Sequence, residues 1–385
     1  MVKKKSKASI VLLSLVFFIV GVLAGFSVFS YINLPETDDL TIGEEIYYSN
    51  GESTQKNTTI SLDDAKLSIH FLELGNKYTG DCTYIKTDTC DILIDCGSKS
   101  NSIPYITNYL NQYVTDEKLE YVVVTHAHQD HYAGFATPEK VDSIFDLYEC
   151  ENIITFSKTN QTESSTMYKN FQRELNDEVE KGAKHYTALD CINETNGASQ
   201  EYNIGLGITL KILDSYYYSN KASTENNYSV CLMITYGEKN FLFTGDLEEE
   251  GEKELVARNT LPEVDLYKAG HHGSKTSSSE TLMSVVKPKT VCVCCCAGSS
   301  EYTNTPENQF PTQKFIDNVS LYTKEIYVTT LCLDYKNNEF TSFNGNIVYL
   351  CDESGYNVKC SNNDIILKES EWFKQNRTWR ADGVA

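Results

Sequence analysis

Residues 125–131 read Thr125-His126-Ala127-His128-Gln129-Asp130-His131 and directly follow the apolar run at residues 120–124. That run has the β-branched composition of a short strand, so these side chains should emerge from a strand end into the next loop. Three imidazoles and a carboxylate within six residues are typical ligands of zinc, manganese or iron. A solvated histidine-rich turn is the alternative, but packing alone seldom places four such groups together. The stretch therefore predicts a metal centre.

A second carboxylate lies at the end of another strand-like run. Residues 240–246 read Asn-Phe-Leu-Phe-Thr-Gly-Asp, and Asp246 closes the run after a glycine. A carboxylate at this point could bridge two cations. The acidic segment that follows, residues 247–252, is equally consistent with Asp246 as a helix cap.

Two adjacent histidines and one further aspartate complete the polar groups at strand ends. His271 and His272 follow the run at residues 264–267 and are flanked by glycines, which permit close approach. One of the two is predicted to be a metal ligand, with a surface loop as the alternative. Asp95 ends the run Ile-Leu-Ile and is the kind of carboxylate that orients a liganding imidazole by accepting its second N–H.

The body of the chain predicts a layered α/β architecture. Helical spacing at residues 102–113 lies between two strand-like runs, and a second helix is predicted near residues 167–181. The strand-like runs are at residues 67–74, 91–97, 120–125, 207–213, 228–236, 240–244, 290–296, 325–333 and 346–350. Three strands are thus expected before the first histidine cluster.

The chain has 13 cysteines, an odd number that excludes complete internal pairing. The densest run, Val-Cys-Val-Cys-Cys-Cys at residues 291–296, is predicted to be a core strand, because side chains three apart on a strand point to opposite faces. A thiolate metal or redox site is the alternative. Isolated disulfides stay open if the domain lies in an oxidising compartment.

Charge limits the partners that the surface can attract. The formal net charge is −21, and the four lysines before residue 10 contribute +4, so the remainder carries −25. Such a field repels phosphate backbones at long range, although a metal centre can reverse the sign locally. Broad nucleic-acid binding by the surface is therefore disfavoured, and nucleic acid as a substrate is not excluded.

The first 32 residues predict that the protein is targeted to a membrane. Residues 10–32 are apolar and long enough to span a bilayer, with lysines only before them, so the body should be extracytoplasmic. A cleaved signal peptide ending near residues 22–24 is the alternative. The predicted segments are a basic cytoplasmic tail (1–9), an anchor (10–32), a polar stalk (33–66), a hydrolase domain (67–352) and a peripheral C-terminal extension (353–385).

Together these residues resemble the metallo-β-lactamase superfamily, and more narrowly the ComEC-type competence-protein hydrolase domains and the secreted phosphorylcholine esterases. The resemblance covers about residues 67–351. Its elements are residues 71–76 with Gly80-Asp81, residues 93–97, 126–131 and 226–230, Thr244-Gly245-Asp246 and His271-His272-Gly273-Ser274. It implies a four-layer αββα metallo-β-lactamase sandwich, preceded here by the N-terminal transmembrane helix.

The resemblance also implies two divalent metal ions, zinc or manganese. Their ligands would form two sets with one bridging residue, namely His126 and His128 for one ion, Asp130, His131 and His272 for the other, and Asp246 between them. The catalytic residues implied are Asp130 and His271, with His271 lining the substrate pocket, and the supporting residues are Asp81, Asp95 and Asn227. A hydroxide bridged by the two ions would attack a phosphoryl or carbonyl centre.

This sequence departs from the family pattern in three respects. The superfamily often has a further histidine for the first ion, and the available one, His185, lies in a polar stretch without a motif and is predicted not to be a ligand. The Asn226-Asn227 element resembles the ComEC branch, where this first site is less complete. The late Asn-x-x-x-His-Pro element is eroded to residues 307–312, which contain no histidine, so protonation of the leaving group has no assigned residue. His70, in the first strand, is predicted to be a packed residue.

These observations predict an extracytoplasmic, membrane-anchored phosphodiesterase. Its partners would be the membrane and a phosphodiester-containing substrate, either a nucleic acid or an envelope polymer, and the sequence indicates no protein partner. Two alternatives stay open: a hydrolase of another ester or lactam on the same scaffold, and a metal-stabilised binding protein that has lost catalysis.

Overall fold

The β-branched runs of the sequence become the strands of two sheets in a computed structural model, which describes residues 60–385. The strands are β1 (Leu67–Phe71), β2 (Thr83–Lys86), β3 (Asp91–Ile94), β4 (Lys118–Val124), β5 (Glu149–Thr155), β6 (Lys184–Thr187), β7 (Glu201–Gly205), β8 (Ile208–Ile212), β9 (Leu232–Tyr236), β10 (Lys239–Phe243), β11 (Leu266–Lys268), β12 (Thr290–Ala297), β13 (Ile326–Asp334), β14 (Glu339–Ser342), β15 (Ile347–Cys351) and β16 (Tyr356–Cys360). The helices are α1 (Ile103–Leu110), α2 (Gln129–Tyr132), α3 (Ile144–Leu147), α4 (Thr166–Lys181), α5 (Ala188–Asn193), α6 (Glu249–Arg258), α7 (Glu280–Val286), α8 (Gln313–Val319) and α9 (Glu371–Asn376).

Each sheet has eight strands. The first has the order β16-β15-β1-β2-β3-β4-β5-β6 and the second β14-β13-β12-β11-β10-β9-β8-β7. Strands β3 to β6 are parallel to one another, and so are β10 to β13. Parallel neighbours bring their carboxyl ends to one edge, where the loops that follow them can meet.

The two sheets pack face to face through alternating side chains. On β10, Phe241 and Phe243 belong to the core between the sheets, and the Phe243 ring lies 6.5 Å from the Phe71 ring of β1. Leu242 points the other way and packs with the apolar residues of α6, α7 and α8. Helices α1, α3 and α4 bury apolar side chains against the first sheet. The predicted two-sheet α/β sandwich is confirmed.

Helix α4 shows how local signals set an element. Ser165 caps its start by accepting the Tyr168 N–H, and Gly182 ends it with a φ of 126°. Its buried residues include Phe171 and Leu175, one helical turn apart, so a single face meets the sheet. The predicted helix at residues 167–181 is confirmed within one residue.

Six strands were not among the predicted runs: β2, β5, β6, β7, β14 and β16. Four of these, β6, β7, β14 and β16, are the edges of the two sheets. Edge strands are partly exposed and keep polar residues on more than one face, so the apolar alternation that signals a strand is weak. Four strands, rather than three, precede the histidine cluster, because β2 pairs between β1 and β3.

The cysteine-rich run forms β12, in which every residue is buried. Cys292 and Cys294 face the core between the sheets, while Val293 and Cys295 face the helices. All 13 cysteines lie within residues 60–385 and are unpaired thiols. The prediction of a core strand is confirmed.

The chain beyond residue 352 is integrated into the domain. Strand β16 pairs with β15, and Leu367 and Phe373 are buried in the core beneath the second sheet. These residues were predicted to form a peripheral extension, because their apolar side chains are sparse and their partners lie far away in sequence.

The predicted cytoplasmic tail and membrane anchor, and the stalk up to residue 59, lie outside the described residues. Within residues 60–385, no helix combines the length and apolar character needed to cross a bilayer.

Candidate functional site

The histidine loop follows β4, and Asp95 holds its first residue. The Asp95 carboxylate accepts the Thr125 backbone N–H at 2.8 Å and the Thr125 hydroxyl at 2.7 Å. His128 then has extended backbone geometry and precedes α2, so Asp130 and His131 lie in the first turn of that helix. His126 and His128 thus lie in the loop after the strand, and Asp130 and His131 lie in the helical turn that follows.

Gly97 allows this helical turn to approach the neighbouring loop. A Cβ at Gly97 would lie only 1.7 Å from the Asp130 carbonyl oxygen, so no other residue fits there without moving the backbone. The Gly97 N–H is donated to the Asp81 carbonyl, and the Asp81 N–H to the Asp130 carbonyl. These hydrogen bonds join the segments that carry Asp81, Gly97 and Asp130 at the base of the site.

The later site residues follow strands of the second sheet. Asp246 comes after β10 and the left-handed Gly245, and its N–H is donated to the Ser229 hydroxyl at 3.0 Å. His271 and His272 follow β11 and both have positive φ, 46° and 54°. This conformation costs a non-glycine residue roughly 1–2 kcal/mol, and here it turns two consecutive imidazoles towards Asp246.

The predicted ligands converge across the two sheets. The His131 Nε2 atom lies 3.1 Å from Asp246 Oδ2 and 3.2 Å from His272 Nε2. His272 Nε2 lies 3.4 Å from Asp130 Oδ2. His126 Nε2 is 3.9 Å from the same Asp246 Oδ2 atom. We call His126 and His128 the first group and Asp130, His131 and His272 the second group, and imidazoles of both approach Asp246.

The first of these groups is the smaller one. His126 Nε2 lies 3.2 Å from His128 Nδ1. His126 is fully buried, and burial lowers its pKa well below the usual value, so the ring is a neutral imidazole with a lone pair. His185 lies on β6, where its Nε2 is 2.8 Å from the Thr155 hydroxyl. His185 therefore hydrogen-bonds Thr155, and its exclusion from the ligands stays a prediction.

The tautomers of the second group test whether a cation fits. His131 Nδ1 lies 2.7 Å from Asp95 Oδ2, and His272 Nδ1 lies 2.9 Å from the Cys294 carbonyl oxygen. In the neutral ring that would ligate an ion, each Nδ1 would carry the proton and the two Nε2 lone pairs would face one another. Asp246 Oδ1 is buried and has no hydrogen-bond partner. Facing lone pairs beside an unpartnered carboxylate oxygen fit a divalent cation.

The charges of the site favour the same conclusion. Although burial opposes it, the neighbouring imidazoles hold the pKa of the Asp246 carboxyl well below its usual value. Burial also opposes protonation of His272, but Asp246 and Asp81 raise its pKa to about 10. Positive charge is therefore stabilised at this position.

Asp81 lies on the outer side of the cluster. Asp81, His131, Asp246 and His272 have ligand-type atoms within 4.8 Å of one another. However, Asp81 Oδ1 lies 3.1 Å from His272 Nδ1, on the side of the ring away from the other imidazoles. Its Oδ2 atom lies 2.5 Å from the Lys268 ammonium, so Asp81 is engaged in an ion pair, while its buried Oδ1 has no hydrogen-bond partner.

Lys268 was missed by the sequence analysis. It is 4% exposed, and its Nζ also donates to the Ala269 carbonyl at 2.8 Å. Although burial opposes it, Asp81 raises the pKa of the Lys268 ammonium. A lysine at the end of the buried run preceding His271 was the available signal, because a buried ammonium requires an anionic partner.

The two asparagines before β9 have different contacts from those expected. Asn227 Oδ1 accepts the backbone N–H of Glu248 at 3.1 Å, which holds the turn after Asp246. Asn226 is the asparagine beside the histidines, with its Nδ2 3.4 Å from His271 Nδ1. The supporting role predicted for Asn227 is thus indirect, because the short 3₁₀ turn Glu225–Tyr228 directs the two side chains differently.

A cavity of about 420 Å³ opens over the ligand cluster. Its lining residues are Thr79, Ser98, Lys99, His128, Gln129, Asp130, Asp246, His271, Glu301 and Tyr302. Glu301 and Tyr302, which the sequence analysis missed, come from the loop after β12. This volume suits a small organic ligand.

Comparison with known proteins identifies relatives of this chain. ComE operon protein 3 of Bacillus subtilis (strain 168) is 29% identical over 182 residues, which are 46% of this chain and 20% of that protein. Recombination protein 2 of Haemophilus influenzae is 39% identical over 82 residues, 21% of this chain and 10% of that protein. The chain thus spans a fifth or less of the length of these curated relatives. The predicted resemblance to the ComEC-type branch of the metallo-β-lactamase fold is confirmed.

Among solved structures, the metallo-beta-lactamase fold protein YhfI from Bacillus subtilis is 12% identical, with a TM-score of 0.41, over 69% of this chain and 96% of that one. The sequence also matches the protein family described as Anti-Pycsar protein Apyc1 over residues 74–282. That match covers more than half of the chain and includes every predicted metal ligand. The chain therefore belongs to the Anti-Pycsar protein Apyc1 family.

Proposed function

We propose that this protein is a metal-dependent phosphodiesterase. One observation supports this most directly: two groups of imidazoles share the Asp246 carboxylate at the floor of an open cavity. Two divalent cations held there would activate a water molecule and offset the negative charge of a phosphoryl group. A phosphodiester is a matching substrate, because its two unesterified oxygens share a negative charge.

The surrounding residues of the chain would prepare this site before substrate binds. Asp95 and the Cys294 carbonyl fix the ring orientations of His131 and His272, which reduces the reorganisation needed on binding. His271 Nδ1 lies 3.0 Å from the Thr276 hydroxyl, and its Nε2 lies 3.8 Å from Asp246 Oδ2. His271 can therefore contact a substrate that reaches the cavity floor.

A small phosphodiester fits the cavity better than a nucleic-acid polymer does. The remainder of the chain after the N-terminal lysines carries −25, which repels a polyanion. Lys99 is the single lysine or arginine among the described residues that line the cavity. One cation suffices for a compact anion but not for tracking a phosphate backbone. The family description names an anti-Pycsar protein, and we extend that role to this chain as a proposal.

The proposed location is extracytoplasmic, with residues 10–32 as a membrane anchor. The support is the apolar length of this segment and the lysines that precede it. Protease added to intact spheroplasts should degrade the folded domain and leave a cytoplasmic control protein intact. Protection of the domain until lysis would contradict this location.

The activity is tested with bis-p-nitrophenyl phosphate, a cyclic mononucleotide, a phosphocholine diester and single-stranded DNA, each with added manganese or zinc. We expect two ions per chain by elemental analysis and metal-dependent turnover of a small phosphodiester. Asp246→Asn should lower turnover by at least about 100-fold, because it removes the charge that both groups share. Asp177→Asn, on the exposed face of α4, is the control.

Other results would favour the alternatives. Hydrolysis of nitrocefin without phosphodiester turnover would indicate a hydrolase of another class. One bound ion or none, with no turnover of any substrate, would favour a metal-stabilised binding protein, a candidate supported by the two-histidine first group.

A further inference from the structure

The loop between β12 and α8 forms one wall of the cavity. We call residues 298–312 the wall loop. Its Tyr302 is 57% exposed, yet the hydroxyl donates a hydrogen bond to Asp130 Oδ2 at 2.8 Å. The Tyr302 ring lies 5.5 Å from the Phe310 ring, which in turn lies 5.8 Å from His271. A phenol thus reaches a predicted metal ligand from the mouth of the cavity.

Contacts at both ends hold the wall loop in place. The Gly298 N–H is donated to the Phe310 carbonyl at 2.8 Å, and the Thr312 N–H to the Gly273 carbonyl at 2.9 Å. The Arg377 guanidinium donates to the Gln309 carbonyl at 2.6 Å. Since Gly273 directly follows His272, the end of the wall loop is joined to the metal-ligand turn.

Cleavage of a phosphodiester requires a group that stabilises the leaving oxygen, and none of the predicted metal ligands has this role. Water forms a new bond to phosphorus, the bond from phosphorus to the leaving oxygen breaks, and the electron pair stays on that oxygen. The leaving oxygen then takes a proton from solvent, and the attacking water releases one. Negative charge on the leaving oxygen is stabilised by a nearby hydrogen-bond donor. The eroded element at residues 307–312 contains no histidine to act as that donor.

Two other donors that line the cavity have competing partners. Lys99 Nζ donates to Gln129 Oε1 at 3.2 Å and lies 4.6 Å above the Tyr78 ring. His271 Nδ1 is engaged with Thr276. The Tyr302 hydroxyl also has a partner, Asp130 Oδ2, but it lies at the mouth of the cavity and can rotate about its C–O bond towards a bound substrate.

We propose that Tyr302 is a catalytic residue whose hydroxyl donates a hydrogen bond to the leaving oxygen of the phosphodiester. The proposal rests on the proposed phosphodiesterase function. It lies outside the family match, which ends at residue 282, so it concerns a feature of this chain.

Tyr302→Phe tests the proposal, because it removes the hydroxyl and keeps the ring against Phe310. The substrates are methyl aryl phosphodiesters whose leaving phenols range from p-nitrophenol to unsubstituted phenol, with manganese in the full-length chain. Loss of the hydrogen bond should slow cleavage most when the leaving oxygen carries the most negative charge, as it does with phenol. We expect kcat to fall about 3-fold with p-nitrophenol and about 30-fold or more with phenol, approaching the roughly 10²–10³-fold loss known for removal of a single transition-state donor.

A second readout separates catalysis from support of Asp130. If the hydroxyl acts on the substrate, manganese affinity measured by isothermal titration calorimetry should be the same within about twofold in Tyr302→Phe and wild type, whereas loss of a support for the Asp130 ligand would weaken binding about 10–100-fold. Tyr105→Phe, which changes an exposed tyrosine on α1, is the matched control.

Two results would overturn the proposal alone. One is an equal loss of kcat for every leaving group, and the other is weakened manganese binding in Tyr302→Phe, which would show that Tyr302 only orients Asp130. A wild-type chain that binds manganese but cleaves none of the phosphodiesters would overturn the proposed function and this inference together.

Discussion

Lys268 and Asp81 form a buried ion pair beneath the histidine turn, with 4% and 3% of their surfaces exposed. We predict that Lys268→Met destabilises the metal-free protein by about 3–5 kcal/mol, because it leaves the Asp81 charge buried without a partner. Urea unfolding in the presence of a chelator measures this change. Lys287→Met is the control, since Lys287 and Glu263 form an exposed pair whose loss should change stability little. Similar effects of the two substitutions would contradict the prediction.

His70 provides a prediction on pH. Its ring is fully buried between the Tyr109 and Ser68 hydroxyls, and burial lowers its pKa from 6.5 to about 3. Since the unfolded state takes up the proton first, this neutral histidine stabilises the fold above pH 6.5, and the contribution is lost as the pH falls towards 3. Between pH 7 and pH 5 the loss should be about 2 kcal/mol.

The matched variant for this prediction is His70→Gln, which has no group that titrates in that range. Its unfolding free energy, measured in urea at both pH values with a chelator present, should fall by about 2 kcal/mol less than that of wild type. An identical decrease in both proteins would show that the His70 pKa is not depressed.

At the scale of elements, α9 and the residue that follows it hold the wall loop. The Arg377 guanidinium is buried without a carboxylate partner and donates to the carbonyls of Pro306, Gln309 and Pro311. The Trp372 ring lies 4.9 Å from the guanidinium carbon and packs against Gly298. A C-terminal helix thereby positions a wall of the cavity.

We predict that Arg377→Ala loosens the wall loop without affecting the metal ligands. The KM for a small phosphodiester should rise several-fold, and the wall loop should become sensitive to limited proteolysis, because three backbone carbonyls lose their donor. Manganese stoichiometry should stay the same. Arg380→Ala, at an exposed pair with Asp382, is the control. Unchanged proteolysis of residues 298–312 in Arg377→Ala would count against this role.

At the scale of the whole molecule, the last residues add to both halves of the sandwich, the first sheet through β16 and the core beneath the second sheet through Leu367 and Phe373. Strand β16 covers the edge of β15, and Leu367 and Phe373 each bury an apolar side chain, worth about 1.5–3 kcal/mol. Such contributions are comparable with the total stability of many domains.

We therefore predict that a chain ending at Asp352 does not fold cooperatively. Near-ultraviolet circular dichroism and thermal unfolding should show loss of fixed tertiary packing, because an edge and part of the core are uncovered. A chain ending at Asp382 keeps β16 and α9 and should unfold like the full chain. A sharp unfolding transition in the shorter chain would show that the C-terminal segment is dispensable.

Much of the site was predictable from sequence, because each segment that carries ligands comes after a strand. The runs before His126, Asp246 and His271 have a local apolar pattern that the strand conformation imposes. Asp95 was identified for the same reason, and the structure places it at His131 Nδ1. The interior strands were recognised more often than the edge strands, since only buried strands need a strongly apolar pattern.

Only the tertiary structure determined the partners of these groups. Tyr302 and Asp130 are 172 residues apart, and the Arg377 contacts also join distant segments. In the sequence, Lys268 is hard to distinguish from an exposed lysine, and only the packing of the two sheets buries it beside Asp81. Local sequence periodicity encodes strands and turns, whereas the pairing of distant side chains depends on how the two sheets pack together, which no local pattern specifies.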